Sequence, residues 1–114
     1  WECRVIGYTA PSILWIELVG PEYKEILRIL IPAIEYYSGP FRWKGANFCI
    51  EEDHLCVRLM QSLSHNSQLS PDYIRERFKL YKVTSDETPP HQIQILASCF
   101  VEFEKGDEVK HLAF

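Results

Sequence analysis

The sequence predicts a mostly β fold of the α+β class: a small antiparallel β-barrel, preceded by a β-hairpin and a linker helix, with a short helical insertion. Short segments rich in β-branched and aromatic residues alternate with tight turn sequences, which is typical of small barrels. One early segment repeats its apolar residues at helical spacing, and a later Ser-Pro pair marks a helix start. The 114 residues, 46% hydrophobic and 25% charged, fit one folded domain.

The opening elements predict a hairpin. Residues 2–8 carry apolar bulk, and a Pro-containing turn follows at 9–12. Residues 13–19 are rich in β-branched and aromatic side chains and end at the Gly-Pro pair 20–21. We expect two antiparallel strands here.

A linker helix is predicted next. Pro21 suits the first helical turn, and Pro32 predicts a kink or break because it removes a backbone donor. Residues 38–40 end the helix. The apolar residues that recur at helical spacing are Tyr23, Ile26, Leu27, Leu30, Ile34 and Tyr37.

The following segment mixes strands with the helical insertion. Residues 41–53 predict a loop or short edge strand that ends in an acidic turn, and the nearly apolar residues 55–60 predict a strand. Ser70 is a good N-cap and Pro71 a good first helical residue, so we predict a short helix over 72–77.

Three further strands complete the prediction. Residues 78–83 show alternating faces, and residues 92–103 form the longest strand pattern of the chain. A turn at 104–107 precedes a last strand at 108–112.

Charge and hydropathy limit the function classes. The formal net charge is −4. Non-specific DNA and RNA binders carry a basic surplus for the phosphates, so this balance argues against direct nucleic-acid binding. No apolar run reaches the roughly 20 residues of a membrane span, so we expect no membrane partner.

The four cysteines do not follow a metal-binding or disulfide-rich pattern. Cys49 and Cys56 stand too far apart for a zinc knuckle, and Cys3 and Cys99 are isolated. We interpret them as reduced, mostly buried thiols of an intracellular protein, with a disulfide as the alternative.

Catalytic motifs are not found in the sequence. It has no Gly-rich phosphate loop, nucleophile elbow or H-E-x-x-H motif, and its histidines fall in predicted turns or at strand ends. The acidic turn at residues 51–53 could hold a hard cation, but a solvated turn is commoner because EF-hand spacing is absent. We predict no enzyme, no metal and no cofactor.

The aromatic residues are the informative class. Phe100 and Phe103 flank Glu102, with Glu104 and Asp107 close behind. Rings beside carboxylates suit a cationic ligand, because the ring quadrupole and the carboxylate both attract positive charge. The alternative is that these rings belong to the core.

The order of these motifs resembles an extended Tudor domain. Residues 10–18 resemble its Pro-containing turn and aromatic strand, and residues 34–37 its helix ending in a Tyr-Tyr pair. Residues 55–60 are similar to its first barrel strand and residues 78–83 to its tyrosine-arginine-alanine strand. Residues 100–103, followed by 106–109, resemble its aspartate-tyrosine-glycine-asparagine stretch.

The resemblance implies a division of the chain and a function. Residues 1–40 would be the N-terminal hairpin and linker helix, and residues 41–114 the Tudor-like barrel in one compact unit. Domains of this kind bind peptides that carry symmetric dimethylarginine, often on PIWI-type tails, and act as scaffolds in piRNA granules. The implied aromatic cage comprises Met60, Phe78, Phe100 and Phe103, with Glu102 and Asp107 as its acidic members.

Several positions depart from the family pattern. Met60 replaces an aromatic wall, and Phe78, Phe100 and Phe103 lack the usual hydroxyl groups. Lys105 falls beside the cage, where it could repel a cation. The resemblance would imply further strands and a helix that complete a nuclease-like subdomain, whereas the sequence given stops at Phe114.

Two functional hypotheses follow. The first is a Tudor-like scaffold of RNA-silencing granules, cytoplasmic and perinuclear, whose degraded cage binds no modified residue and which holds an unmodified protein or peptide through another surface. The second is a reader of dimethylarginine on arginine-rich PIWI-type tails. An enzyme or an RNA binder is a third class.

Three surfaces are candidates for a partner. The Tyr73–Ile74 helix and the Phe41/Trp43 loop could receive another protein. An unpaired apolar edge at 108–114 would favour a homodimer.

Overall fold

The computed structural model describes residues 1–9, 13–63, 66–99 and 101–105. Within these ranges the chain forms nine strands, two α-helices and a 3₁₀ turn at Pro21–Tyr23. The strands are β1 (Glu2–Thr9), β2 (Ile13–Val19), β3 (Ile26–Ile31), β4 (Tyr36–Ser38), β5 (Arg42–Lys44), β6 (Asn47–Ile50), β7 (Phe78–Thr84), β8 (Gln92–Ser98) and β9 (Glu102–Lys105). The helices are α1 (Asp53–Ser62) and α2 (Pro71–Arg77).

The strands form two antiparallel sheets. One has the order β5-β1-β2-β3-β9 and the other the order β4-β8-β7-β6. Strand β4 lies in the second sheet although its neighbours along the chain, β3 and β5, lie in the first; the chain then passes to the second sheet again between β5 and β6 and returns to the first between β8 and β9. Strands from both predicted segments, 1–40 and 41–114, therefore contribute to each sheet.

The four-stranded sheet is the middle layer of three. Alternate side chains of its strands point to opposite faces. Val83 and Ile95 belong to a core shared with the five-stranded sheet, which contributes Ile16 and Ile29. Leu80 and Leu96 belong to a second core. That second core contains the buried side chains of α1 and α2: Cys56, Val57, Met60 and Ile74.

Much of the predicted order is confirmed. The hairpin exists as β1 and β2, and β7 covers the strand expected at 78–83. Helix α2 begins as predicted, since the Ser70 hydroxyl accepts a hydrogen bond from the Tyr73 amide and Pro71 is its first residue. The mostly β prediction is therefore confirmed as two antiparallel sheets with two short helices.

The predicted linker helix is wrong. Residues 26–31 form β3, which pairs along its length with β2. The run is almost entirely apolar, so helical and strand periods are hard to distinguish there. Pro32 follows the last residue of the strand, where its missing amide donor interrupts no helix.

The predicted strand at 55–60 is also wrong, because these residues lie in α1. Cys56, Val57 and Met60 are its buried residues, at the spacing of one helix face. Asp53 in the first turn favours the helix through its dipole. A short apolar run can belong to either element, and here packing on the sheet decided it.

The end of the chain follows the prediction in part. The strand expected over 92–103 is two strands, β8 and β9, which lie in different sheets. The backbone of residues 104 and 105 continues β9 instead of turning. The strand predicted at 108–112 and the edge at 108–114 lie outside the described residues.

A buried ion pair supports the β2–β3 register. Glu17 lies opposite Arg28, and its Oε2 atom accepts a hydrogen bond from Arg28 Nε at 3.3 Å. Glu17 is only 1% exposed, and its other oxygen, Oε1, finds no partner among the described residues. Burying a carboxylate is costly without a cation, so the pair holds β3 in this register.

Neither α1 nor α2, the helices in the described ranges, has the length and apolar character needed to span a bilayer.

Candidate functional site

The structure brings two of the predicted cage residues together. Met60 of α1 and Phe78 of β7 both belong to the core beneath the two helices. Met60 has 0% exposure, so its thioether lies within the protein and offers no surface to a ligand. Phe78 is half-buried against the same core.

Of the remaining predicted cage residues, two lie in β9 and two lie outside the described residues. Glu102 is exposed on β9, opposite Leu30 in the five-stranded sheet. Phe103 is next to it in β9, although its side chain is not described. Phe100 and Asp107 lie outside the described residues. A pocket common to all six residues thus stays a prediction.

A cavity of about 470 Å³ lies between the two sheets and is here called the inter-sheet cavity. Its size falls within the roughly 300–1,000 Å³ of ordinary ligand pockets. Nearly every lining side chain is apolar. The lining residues are Leu18, Leu27, Ile29, Ile31, Phe48, Cys49, Ile50, Tyr81, Cys99 and Val101.

Exposed apolar side chains occur at the mouth of this cavity. Ile50 at the end of β6 is 60% exposed, and Leu27 at the start of β3 is 37% exposed. Cys49, next to Ile50, is also exposed. The cavity thus opens to solvent between β6 and β3 with an apolar rim, as contact sites for other molecules often do.

The polar groups near the cavity have hydrogen-bond or ionic partners within the protein. The Tyr81 hydroxyl donates a hydrogen bond to the Ser98 carbonyl oxygen at 2.8 Å, and burial raises the pKa of Tyr81 to about 12. Lys82 Nζ lies 3.5 Å from the Glu51 carboxylate just beyond β6. The cavity therefore offers apolar contact and no free charge from these groups.

The two docking surfaces proposed from the sequence each contain one exposed and one buried residue. Tyr73 is 40% exposed and Phe41 65% exposed, whereas Ile74 and Trp43 are core residues. The Phe41 ring stacks on Tyr37, with ring centroids 5.2 Å apart. The guanidinium of Arg77 lies over the Tyr73 ring at 4.7 Å. Both exposed rings already have intramolecular partners.

The cysteines are free thiols in contrasting environments. Cys3 and Cys56 are buried, Cys99 is partly buried and Cys49 is exposed. Burial raises the pKa of Cys3 to about 12 and also raises that of Cys56, which keeps both protonated at neutral pH. Within the described ranges no three His, Cys, Asp or Glu side chains gather as metal ligands.

Comparisons of the chain with protein-family models, with curated proteins and with solved structures find no match.

The β3 side of the cavity does not follow from the sequence prediction, which places residues 26–31 in a helix. The pattern Ile-Leu-Arg-Ile-Leu-Ile is rich in β-branched residues and is followed by Pro32, which favours a strand. The β6 side was closer to the prediction, since residues 47–50 were assigned to a loop or edge strand and do form an edge strand.

Proposed function

We propose that this chain is a protein-interaction module that holds an unmodified segment of a partner protein at the inter-sheet cavity. The observation that carries the proposal is an apolar cavity of about 470 Å³ whose rim leaves Ile50 60% exposed. Exposed apolar surface costs free energy in water, and burying it drives most protein association.

The apolar lining of the cavity and the burial of the predicted cage residues both favour an apolar ligand over a methylated cation. A methylarginine cage needs aromatic faces open to the ligand. Met60 is wholly buried, and Phe78 packs in the core beneath the helices. A scaffold with a degraded cage therefore remains the better hypothesis, and its Tudor-like barrel, its place in RNA-silencing granules and its cytoplasmic location belong to this proposal.

The test is a titration followed by fluorescence polarisation. One probe is an extended peptide of alternating isoleucine and threonine with lysine at both ends; the others are an arginine-rich peptide, unmodified and symmetrically dimethylated. We expect the apolar probe to bind and the two arginine peptides to bind equally weakly.

Substitution of rim residues localises the binding. Ile50→Lys and Leu27→Lys should each weaken the apolar probe about tenfold, because both place a charge at an apolar mouth. Tyr73→Lys is the matched control on an exposed ring outside the cavity.

Loss of binding in the control alone would move the site to α2. Tighter binding of the dimethylated peptide, by several fold, would instead support the methylarginine reader.

A further inference from the structure

The edge of the four-stranded sheet beside the cavity carries a specific hydrogen-bonding pattern. In the described part of the chain, β6 pairs with β7 on one side and no strand lies on its other side. An unpaired edge of this kind presents backbone N–H and C=O groups to an incoming chain.

The pairing with β7 shows which groups are free. The Glu51 amide donates to the Leu80 carbonyl oxygen at 2.9 Å, so residues 51 and 80 form a hydrogen-bonded pair of the antiparallel ladder. Such pairs alternate with non-bonded pairs, and Ile50 opposite Tyr81 is non-bonded. The backbone groups of Ile50 therefore point away from β7.

Phe48, like Ile50, occupies a non-hydrogen-bonded position of the β6–β7 ladder. It lies two residues from Ile50 and opposite Val83, so its carbonyl also points to the free edge. Its amide already donates to the Ala46 carbonyl oxygen at 3.1 Å. The edge thus offers two carbonyl acceptors, on Phe48 and Ile50, and one amide donor, on Ile50.

The side chains of these two residues lie on the cavity face of the sheet. Phe48 packs against the core between the sheets, and both Phe48 and Ile50 line the cavity. In an added strand, the residues that bond to Phe48 and Ile50 would direct their own side chains to this same face. Backbone pairing and cavity filling thus require the same alternate residues.

We infer that the partner binds by β-strand addition: an extended segment pairs antiparallel with β6 through the backbones of Phe48 and Ile50 and inserts apolar side chains at alternate positions into the inter-sheet cavity. This inference rests on the proposed function and names the conformation and chemistry of its ligand. The antiparallel direction continues the pairing of the sheet and gives the more stable ladder.

The charge at the end of β6 defines one flank of the ligand. Glu51 pairs with Lys82, whereas Glu52 is 77% exposed and has His54 as its ionic partner, at 3.1 Å. Glu52 is thus an exposed acidic side chain just beyond the end of β6. An antiparallel segment has its N-terminal end here, and a basic residue at that end would complement Glu52.

The decisive experiment uses N-methylated versions of the alternating probe. A methyl group on an amide nitrogen removes the donor without changing the side chain. Methylation of the isoleucine amides, which face β6, should weaken binding at least tenfold. Methylation of the threonine amides, which face away, should change it by less than twofold. Equal effects of the two modifications would overturn strand addition.

Two further arms separate this inference from the proposed function. If Ile50→Lys weakens every probe while N-methylation shows no alternation, the cavity binds the partner by another mode. If Ile50→Lys changes the binding of no probe, both the proposed function and strand addition fail.

The direction of the added strand has its own test. Replacing the N-terminal lysine of the probe by glutamate should weaken binding severalfold, and replacing the C-terminal lysine should have less effect. The reverse result would contradict the antiparallel direction.

A protein variant tests the same hydrogen bond from the other side. Ile50→Pro keeps an apolar side chain but removes the amide donor at the free edge, which is where a sheet tolerates proline. Ile50→Val is the matched control that keeps the donor. We expect the first to lose at least fivefold in affinity and the second less than twofold, and equal affinities would count against strand addition. Should Ile50→Pro not fold, the N-methyl comparison decides alone.

Discussion

The two ends of the inter-sheet core differ in how they are closed. The passage from β5 to β6, residues 43–46, is here called the Gly45 corner. In this corner the Trp43 indole donates a hydrogen bond to the Gly45 carbonyl oxygen at 3.0 Å, and the Cys3 thiol donates to the same oxygen at 3.3 Å. The Asp86 amide donates to the Lys44 carbonyl oxygen at 2.8 Å. Trp43 itself is 2% exposed.

The inter-sheet cavity presents the opposite case. Ile50 and Leu27 are partly open to solvent, and about 470 Å³ between the sheets is lined by side chains without being filled by them. Well-packed interiors hold few voids larger than a water molecule. The comparison shows that one core can be complete at one end and unfinished at the other, and the unfinished end is where a partner gains most by binding.

The largest expected effect is at Trp43. Trp43→Ala should lower the free energy of unfolding by about 3–5 kcal/mol, because it removes a buried ring from a sealed corner. Phe41→Ala, which removes an exposed ring two residues away, should cost only about 0.5–1.5 kcal/mol of stacking on Tyr37. Urea unfolding followed by circular dichroism measures both. Similar values would mean that the corner is not sealed as described.

A smaller effect is expected at Gly45. Its φ of +103° is unfavourable for other residues, and a Cβ there would lie 2.7 Å from the Asp86 carboxyl carbon. Gly45→Ala should therefore cost about 2 kcal/mol. Gly7→Ala is the control, since a Cβ at Gly7 meets nothing within 4 Å. Thermal unfolding of the two variants gives the comparison, and an unchanged midpoint for Gly45→Ala would contradict it.

As pH rises, the stability contributed by a buried thiol at the Gly45 corner should be lost first, and that of a buried phenol at the cavity second. The pKa of Cys3 rises from 9.0 to about 12 and that of Tyr81 from 10.0 to about 12, both chiefly through burial. The unfolded chain therefore releases these protons first, and the stabilisation they give is complete below pH 9 and lost as pH rises toward 12.

Two variants separate these contributions. Cys3→Ala should flatten the loss of stability between pH 9 and 10, whereas Tyr81→Phe should flatten it only above pH 10. Urea unfolding at pH 8, 9, 10 and 11 measures the slopes. An unaltered slope for Cys3→Ala would mean that the thiol titrates as freely as in the unfolded chain.

The smallest effect on stability is expected at the cavity mouth. Ile50→Thr should change the free energy of unfolding by less than about 0.5 kcal/mol, because the side chain is already 60% exposed. The same change should weaken the alternating probe severalfold. A large loss of stability would show that Ile50 supports the fold and not a ligand.

Local signals in the sequence determined the hairpin, the Ser70-capped helix, β7 and the mostly β character. In each case the information lies within a few residues: turn residues beside β-branched runs, or a capping hydroxyl before proline. Sequence order also supported the Tudor resemblance, which remains a prediction.

Tertiary structure alone decided β3, α1 and the inter-sheet cavity. Residues 26–31 and 55–60 are short apolar runs whose periodicity does not separate a helix from a strand. The β-branched residues of 26–31 favour a strand, but it is pairing with β2 that fixes β3, and packing on the four-stranded sheet that fixes α1. The cavity is lined by Leu27 of β3 and Ile50 of β6, and the distance between these two residues depends on how the two sheets pack together. Such a distance is set by the sum of many weak contacts along the chain, and no local pattern of residues encodes it.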